Sequence, residues 1–320
     1  MTDSNLRILD QRTQEKLEKA GLLSNKAIIK FSIQELSKLL DVSQTDAKKV
    51  LQASARGLIK QGFISESELI RNKTYSKKWR RLTLGCNILD MTVRGGISVC
   101  GITELAGESG CGKTQLCLQL AITVQLHEDN GGFNSGAVFI CTEDKFPSSR
   151  LQQIIHSSPL SSQQNIKFTD NIFIEHIADS EGLKHCVISK LPELLTVHKI
   201  GLIVIDSIAA VFRAEYNYNE GRERAKDLRT IGLQLHLISN KYNISVVCIN
   251  QVTDLPSNLG EVDGTHRIPA MGLAWANLIT CRLLMTKTDP HRNFSVEFAP
   301  DLPASSCQYV ISKTGVKGLS

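Results

Sequence analysis

Between Gln14 and Lys60 the apolar positions fall at helical spacing. Leu17, Ala20, Leu22, Leu23, Ile28, Ile29 and Phe31 supply the stripes, and polar residues interrupt them. Ser32 stands three residues before Glu35, which predicts a capping box and a helix through Leu40. Ser43 and Asp46 predict a further helix through Ala55, ended by Gly57. Short helices with tight turns make residues 1–60 a small all-α module. It reads either as a docking domain or as a helix-hairpin-helix element on DNA backbone, although the glycine hairpin that the second requires is not clear.

Residues 61–81 read as a linker. Its second half, Arg71–Arg81, holds six basic residues and no acid. Such a run is either a solvated charge face or a phosphate-contacting or nuclear-import segment. From Leu82 the pattern changes. Apolar β-rich runs occur at Ile102–Ala106, Ala137–Cys141, Asn171–Ile177, Leu202–Ile205, Ile244–Ile249 and Leu278–Met285, with helix-length segments between the first five. Near-continuous apolar strands alternating with helices predict an α/β core over residues 82–320, its mostly parallel sheet covered by helices on both faces. Phe294–Phe298 and Cys307–Ile311 add short closing strands, expected to be antiparallel.

Composition narrows the function classes modestly. Aromatics make up 5% of the chain, too few for a surface built mainly of base-stacking platforms. A formal net charge of +5 permits a nucleic-acid partner without requiring one. The nine cysteines form no CxxC pair, and Cys100, Cys141, Cys248 and Cys281 sit in or beside apolar runs as small hydrophobes. That usage implies a reducing compartment with neither zinc nor disulfides. Without a membrane-length apolar run or a signal-peptide profile, the expectation is a soluble intracellular protein, with no membrane partner.

The strongest chemical signal is the octapeptide Gly107, Glu108, Ser109, Gly110, Cys111, Gly112, Lys113 and Thr114, which satisfies GxxxxGK[ST]. It follows one predicted strand and opens a predicted helix from Gln115, as a phosphate loop must. Glycines let backbone N–H groups curl inward as an anion nest, and the helix N-terminus adds partial positive charge. Lys113 neutralises the β- and γ-phosphates of ATP, and Thr114 offers its hydroxyl to Mg²⁺. Leu202–Asp206 reads as a buried strand ending in the carboxylate that reaches Mg²⁺ through water. Glu143, just past a strand end, can orient or deprotonate an attacking water. Gln251, read with Asn250 as directly following a strand, can sense the γ-phosphate.

The order of these features resembles the RecA-type recombinase family in its eukaryotic and archaeal branch, over nearly the whole chain. The runs Gly101–Gly107, Val138–Pro147, Cys248–Thr253 and Tyr309–Gly318 resemble a paralog of the strand-exchange recombinase. The resemblance implies a RecA-like ATPase core with Glu143 as the water-activating base and Gln251 as the γ-phosphate sensor. It implies that Arg150 packs on adenine and that Pro300, Asp301 and Pro303 form a cap over nucleotide in an adjacent subunit. Two DNA-facing loops are expected at about Arg213–Lys226 and Thr253–Pro269. The first would offer Arg222, Arg224 and Lys226 to the phosphates of single-stranded or branched DNA.

Three departures shape the expected activity. The family's Phe-x-x-Ala oligomerisation motif appears here as Phe63-Ile-Ser-Glu66, which keeps the anchor but replaces the small residue with a charge. That disfavours a self-filament and favours a dedicated partner. In the second loop, Asp254, Glu261 and Asp263 oppose His266 and Arg267, a poor phosphate-binding surface. Trp275 stands where the recombinase has a histidine near the subunit-spanning ATP, and indole cannot accept a hydrogen bond. The expected protein is a nuclear, DNA-dependent ATPase subunit of a recombinase-paralog complex. It would act in homologous-recombination repair of double-strand breaks and cross-links, pair with a second paralog of the C type, and assist the recombinase filament. The alternatives are a nucleotide-stabilised adapter with little turnover and a self-assembling strand-exchange enzyme.

Overall fold

The computed structural model describes residues 9–58, 65–71, 79–159, 166–214, 216, 220–254, 267–269, 271–288 and 291–319. They fall into two compact units, Met1–Asn72 and Lys73–Ser320.

The first unit is helical: α1 (Gln11–Lys19), α2 (Asn25–Ile28), α3 (Ile33–Leu40), α4 (Gln44–Leu58) and α5 (Glu66–Arg71). Its caps follow the sequence signals. The Glu35 amide donates to Ser32 Oγ at 3.2 Å while the Ser32 amide donates to Glu35 Oε2 at 2.8 Å, a complete capping box. Leu17, Ile28, Leu36, Leu40, Ala47 and Val50 close the core. Two expectations fail here. Helix α4 runs through Gly57 to Leu58, because a glycine inside a helix costs only about 1 kcal/mol and Leu51 and Leu58 prolong the apolar stripe. The stretch expected to be linker contains α5, opened by a second Ser-x-x-Glu box in which the Ser65 amide donates to Glu68 Oε2 at 2.9 Å.

The second unit is a large sheet between helical layers. A short antiparallel pair, β1 (Arg81–Leu82) and β2 (Ile97–Ser98), precedes it. The sheet strands are β3 (Ile102–Gly107), β4 (Gly136–Cys141), β5 (Ile172–His176), β6 (Ile200–Asp206), β7 (Ser245–Asp254), β8 (Arg267–Pro269), β9 (Cys281–Thr288), β10 (His291–Phe298), β11 (Ser306–Ser312) and β12 (Gly315–Gly318). Their order is β12-β11-β10-β9-β3-β7-β6-β4-β5, with β8 attached to β7. The pairs from β9 to β5 are parallel and those from β9 to β12 antiparallel. The connecting helices are α6 (Asn87–Thr92), α7 (Lys113–Thr123), α8 (Ser148–Ser157), α9 (Ser180–His185), α10 (Leu191–Val197), α11 (Ile208–Ala214), α12 (Gly221–Tyr242) and α13 (Gly272–Ala276).

Strand alternation assigns the two cores. Ala137, Phe139 and Cys141 pack with Leu116 and Leu120 of α7, whereas Val138 and Ile140 pack with Leu228, Ile231 and Leu235 of α12. Both faces of β4 are therefore buried, which is why its sequence is continuously apolar. Two strand bounds differ from expectation. Strand β9 starts at Cys281 because Leu278 and Ile279 close the turn after α13 through their amides. Strand β7 extends to Asp254, since β8 returns antiparallel along Val252–Asp254. Asn250 and Gln251 thus lie within a strand instead of after one. Among the described residues no helix is long and apolar enough to cross a membrane.

Candidate nucleotide-binding site

The carboxyl ends of β3, β4, β6 and β7 meet at one edge, where parallel α/β sheets place their ligands. The loop between β3 and α7 takes the shape its glycines allow. Gly110 and Gly112 have φ of 76° and 103°, a region unfavourable to residues with a Cβ. At Gly107 a Cβ would come within 2.2 Å of the Met285 carbonyl oxygen, so only glycine lets β3 lie this close to β9 there. Lys113 folds back over the loop, its Nζ donating to the Gly107 and Glu108 carbonyls at 2.7 Å each. The loop is braced from the antiparallel strands. The Tyr309 hydroxyl donates to the Cys111 carbonyl, and Arg292 Nη1 donates to the Gly110 carbonyl at 2.9 Å. Burial pushes the Tyr309 phenol well above its ordinary pKa, so it stays a donor.

Across the cleft, Thr114 Oγ1 donates to Asp206 Oδ2 at 2.7 Å. Burial raises the Asp206 carboxyl above the usual aspartate range; the Thr114 bond opposes the shift, and the Glu143 and Asp144 charges add to it. The end of β4 is tied to β6 through Thr142, whose Oγ1 accepts the Ser207 amide at 2.8 Å and donates to the Ser207 carbonyl at 2.6 Å. That tie presents Glu143, whose Oε1 accepts Gln251 Nε2 at 2.9 Å and lies 3.6 Å from Arg213 Nη2. Ser109, Gly110, Gly112, Lys113, Thr114, Gln115, Glu143, Asp144, Asp206, Ser207, Ile249 and Gln251 together line a cleft of about 250 Å³.

Other predicted residues are distributed differently. Arg150 stands beside this cleft, its Nε donating to Gln115 Oε1 at 2.9 Å and its Nη2 to the Ser312 carbonyl. Pro300, Asp301 and Pro303 are exposed and do not line the cleft; Asp301 pairs with Arg81. Arg222, Arg224 and Lys226 lie on the first turns of α12 instead of in a loop. Arg222 and Lys226 are exposed at i, i+4 spacing, whereas Arg224 is partly buried with Nη2 3.7 Å from Met271 Sδ. Much of the expected first loop is helix, because α11 continues to Ala214 and α12 begins at Gly221. In the expected second loop Thr253, Asp254 and Arg267–Pro269 are strand; Glu261, Asp263 and His266 lie outside the described residues. Phe63 and most of the basic stretch also lie outside them. Arg80 and Arg81 are engaged by protein, Arg80 with Glu128 at 3.0 Å and over the Phe133 ring.

Trp275 has a partner that its sequence context did not indicate. It is fully buried, and its Nε1 donates to Glu104 Oε1 at 2.8 Å. Sequence reading missed Glu104 altogether, along with the bracing by Tyr309 and Arg292. The one available signal was an acid in the middle of the apolar run Ile102–Ala106, where an ionised group requires buried partners.

A glycine loop between a parallel strand and a helix, with Thr114 and Asp206 joined across the sheet edge, defines a P-loop protein with a RecA-like core. The Rad51 family model matches residues 76–319, and the chain belongs to that family. It is 40% identical to DNA repair protein XRCC3 of Bos taurus, covering 97% of this chain and 96% of that protein. The Mus musculus XRCC3 is 38% identical over the same shares. DNA repair protein rhp57 of Schizosaccharomyces pombe is 30% identical over 92% of this chain and 93% of its own length.

Proposed function

We propose that this chain is an ATP-binding subunit of a recombinase-paralog complex in homologous-recombination repair, its core over residues 82–320 carrying a slow, DNA-dependent ATPase. The observation that carries this reading is the convergence of Lys113, the Thr114–Asp206 pair and the Glu143–Gln251 pair on one cleft. The donor set fits magnesium and nucleotide. Thr114 and Asp206 offer the hard oxygen ligands that Mg²⁺ prefers. Among the described lining residues Asp206, Glu143 and Asp144 face Lys113, so a divalent cation would favour entry of an anionic nucleotide. The Gly107–Thr114 amides and Lys113 would hold the phosphates, with Arg150 toward the base. Bound Mg²⁺ would supply charge neutralisation at the phosphates. Glu143 would accept the proton of the attacking water, and Gln251, which bonds that carboxylate, would sense the γ-phosphate.

The partner and its surroundings are read from the family resemblance and the sequence. A second paralog, of the C type, would dock through the Phe63 segment, and the 1–60 module would add docking surface. Pro300, Asp301 and Pro303 would cap nucleotide in the neighbouring subunit. Arg222 and Lys226, with Arg224 supporting them, would contact phosphates of single-stranded or branched DNA beside the recombinase filament. Repair of double-strand breaks and cross-links would take place in the nucleus, with a cytoplasmic pool allowed.

A second reading, a nucleotide-stabilised adapter with little turnover, is favoured by one contact. The Glu143 oxygen that would accept a proton already takes the Gln251 amide and faces Arg213. Glu143→Gln separates the two readings. The enzyme reading expects ATP turnover on single-stranded DNA to fall by about 10²–10⁴-fold, with ATP affinity kept and repair lost in cells. Full repair by that variant would support the adapter and refute a catalytic requirement.

A further inference from the structure

Glu104 lies in the middle of β3 and is fully buried. Both its oxygens are used. Oε1 accepts Asn250 Nδ2 at 2.7 Å and Trp275 Nε1 at 2.8 Å, while Oε2 accepts Arg282 Nε. Asn250 and Trp275 are themselves fully buried, and the Arg282 side chain is 9% exposed. A structural ion pair would require only Arg282. The additional contact to Asn250 has a consequence at the nucleotide cleft. A carboxylate is acceptor-only, so it obliges Asn250 to turn its NH₂ inward and its carbonyl oxygen outward. That oxygen accepts the Gln251 backbone amide at 2.8 Å. Gln251 in turn donates its side-chain amide to Glu143 at 2.9 Å.

We infer that Glu104 is a positioning residue for Gln251: it sets the hydrogen-bond sense of Asn250 and thereby the strand position from which Gln251 faces the terminal phosphate. The inference rests on the reading of Gln251 as the γ-phosphate sensor. The polarity runs one way along the line, and an amide at position 104 reverses it. In Glu104→Gln the single carbonyl oxygen goes to the charged Arg282, because charge-assisted bonds are the stronger. The NH₂ then faces Asn250 Nδ2 and Trp275 Nε1, both donors. Asn250 relieves the conflict by flipping, which turns its own NH₂ toward the Gln251 amide and leaves that N–H without an acceptor. The diphosphate part of the site, built from the Gly107–Thr114 loop, is untouched.

The test titrates the 320-residue chain with fluorescent mant-ADP and mant-AMPPNP in the presence of Mg²⁺. Losing one neutral hydrogen bond, on the order of 1 kcal/mol, corresponds to about fivefold. Glu104→Gln is expected to weaken mant-AMPPNP about fivefold while mant-ADP stays within about twofold. Asn250→Ala, which leaves the Glu104–Arg282 pair intact, is expected to do the same and carries the test if Glu104→Gln does not fold. An equal fall for both nucleotides, or an unchanged ratio, overturns the inference and leaves Glu104 a structural ion-pair partner. Gln251→Ala is the control for the underlying reading. If it leaves the ratio unchanged, the sensor assignment itself fails and the positioning role falls with it. If it lowers the ratio and Asn250→Ala does not, only the positioning role fails.

Discussion

Gly112→Ala probes how closely the phosphate loop is held against the antiparallel strands. Gly112 opens α7 at a φ of 103°, and an L-residue in left-handed conformations costs about 1–2 kcal/mol. The added Cβ would stand 2.6 Å from Ile311 Cδ1, 3.3 Å from Ile311 Cγ1 and 3.8 Å from Met285 Cε. The nearest atom is the end of a flexible side chain, so Ile311 can move, at an overpacking cost of about 1–3 kcal/mol. Together the two effects predict a loss of about 2–5 kcal/mol, divided between fold stability and nucleotide affinity. Urea unfolding and Mg-ATP titration of the same samples measure both parts. Ile311→Val removes Cδ1 and separates the causes. The double variant should regain about 1 kcal/mol relative to the sum of the singles, a coupling within the range of touching residues. Wild-type stability and affinity in Gly112→Ala, or strict additivity in the double variant, would refute the close packing.

Other expectations follow from the same contacts. Asp206→Asn should make ATP affinity in Mg²⁺ equal to that in EDTA. Because burial holds the folded-state pKa of Asp206 above its unfolded value, its contribution to stability is complete at low pH and lost as pH rises through that pKa. The neutral variant should therefore melt higher than wild type at neutral pH without nucleotide, and a lower midpoint would contradict this. Tyr309→Phe removes the hydroxyl on the Cys111 carbonyl and should cost about 1 kcal/mol in denaturant unfolding; no change would mean the loop does not need that brace. Burial pushes the Cys186 thiol to about 11 and the Cys141 thiol to about 12. Both should resist iodoacetamide in the native chain at pH 8 when peptides are read by mass spectrometry, and rapid labelling would show that their burial is wrong.

How much was legible depended on how local the cause was. Helix α3 follows from Ser32 and Glu35, three residues apart, and the phosphate loop from eight consecutive residues. Strands β3, β4 and β6 were legible because burial on both faces leaves a continuous apolar run. Strand β7 was read too short because its last residues pair with β8, which begins only at Arg267. Glu104 left one signal, an acid inside an apolar run, but its partner Arg282 lies 178 residues away, so nothing adjacent explains it. The partner of Trp275 was hidden for the same cause. The family's histidine at that position shows what an indole cannot do, but not that the indole N–H is turned to Glu104 inside the sheet's own core. Arg222 and Lys226 were expected on a loop, and their helical setting was not legible.

The account's central claim is that the loop from Gly107 to Thr114 binds Mg-ATP and that Lys113 holds its phosphates. Equilibrium titration of fluorescent ATP onto the wild-type chain and onto Lys113→Ala, with and without Mg²⁺, tests it most directly. Wild type should bind in a magnesium-dependent manner, and Lys113→Ala should lose at least about tenfold, the scale of one charge-assisted contact. Equal affinity in the two proteins, or binding indifferent to Mg²⁺, would contradict it.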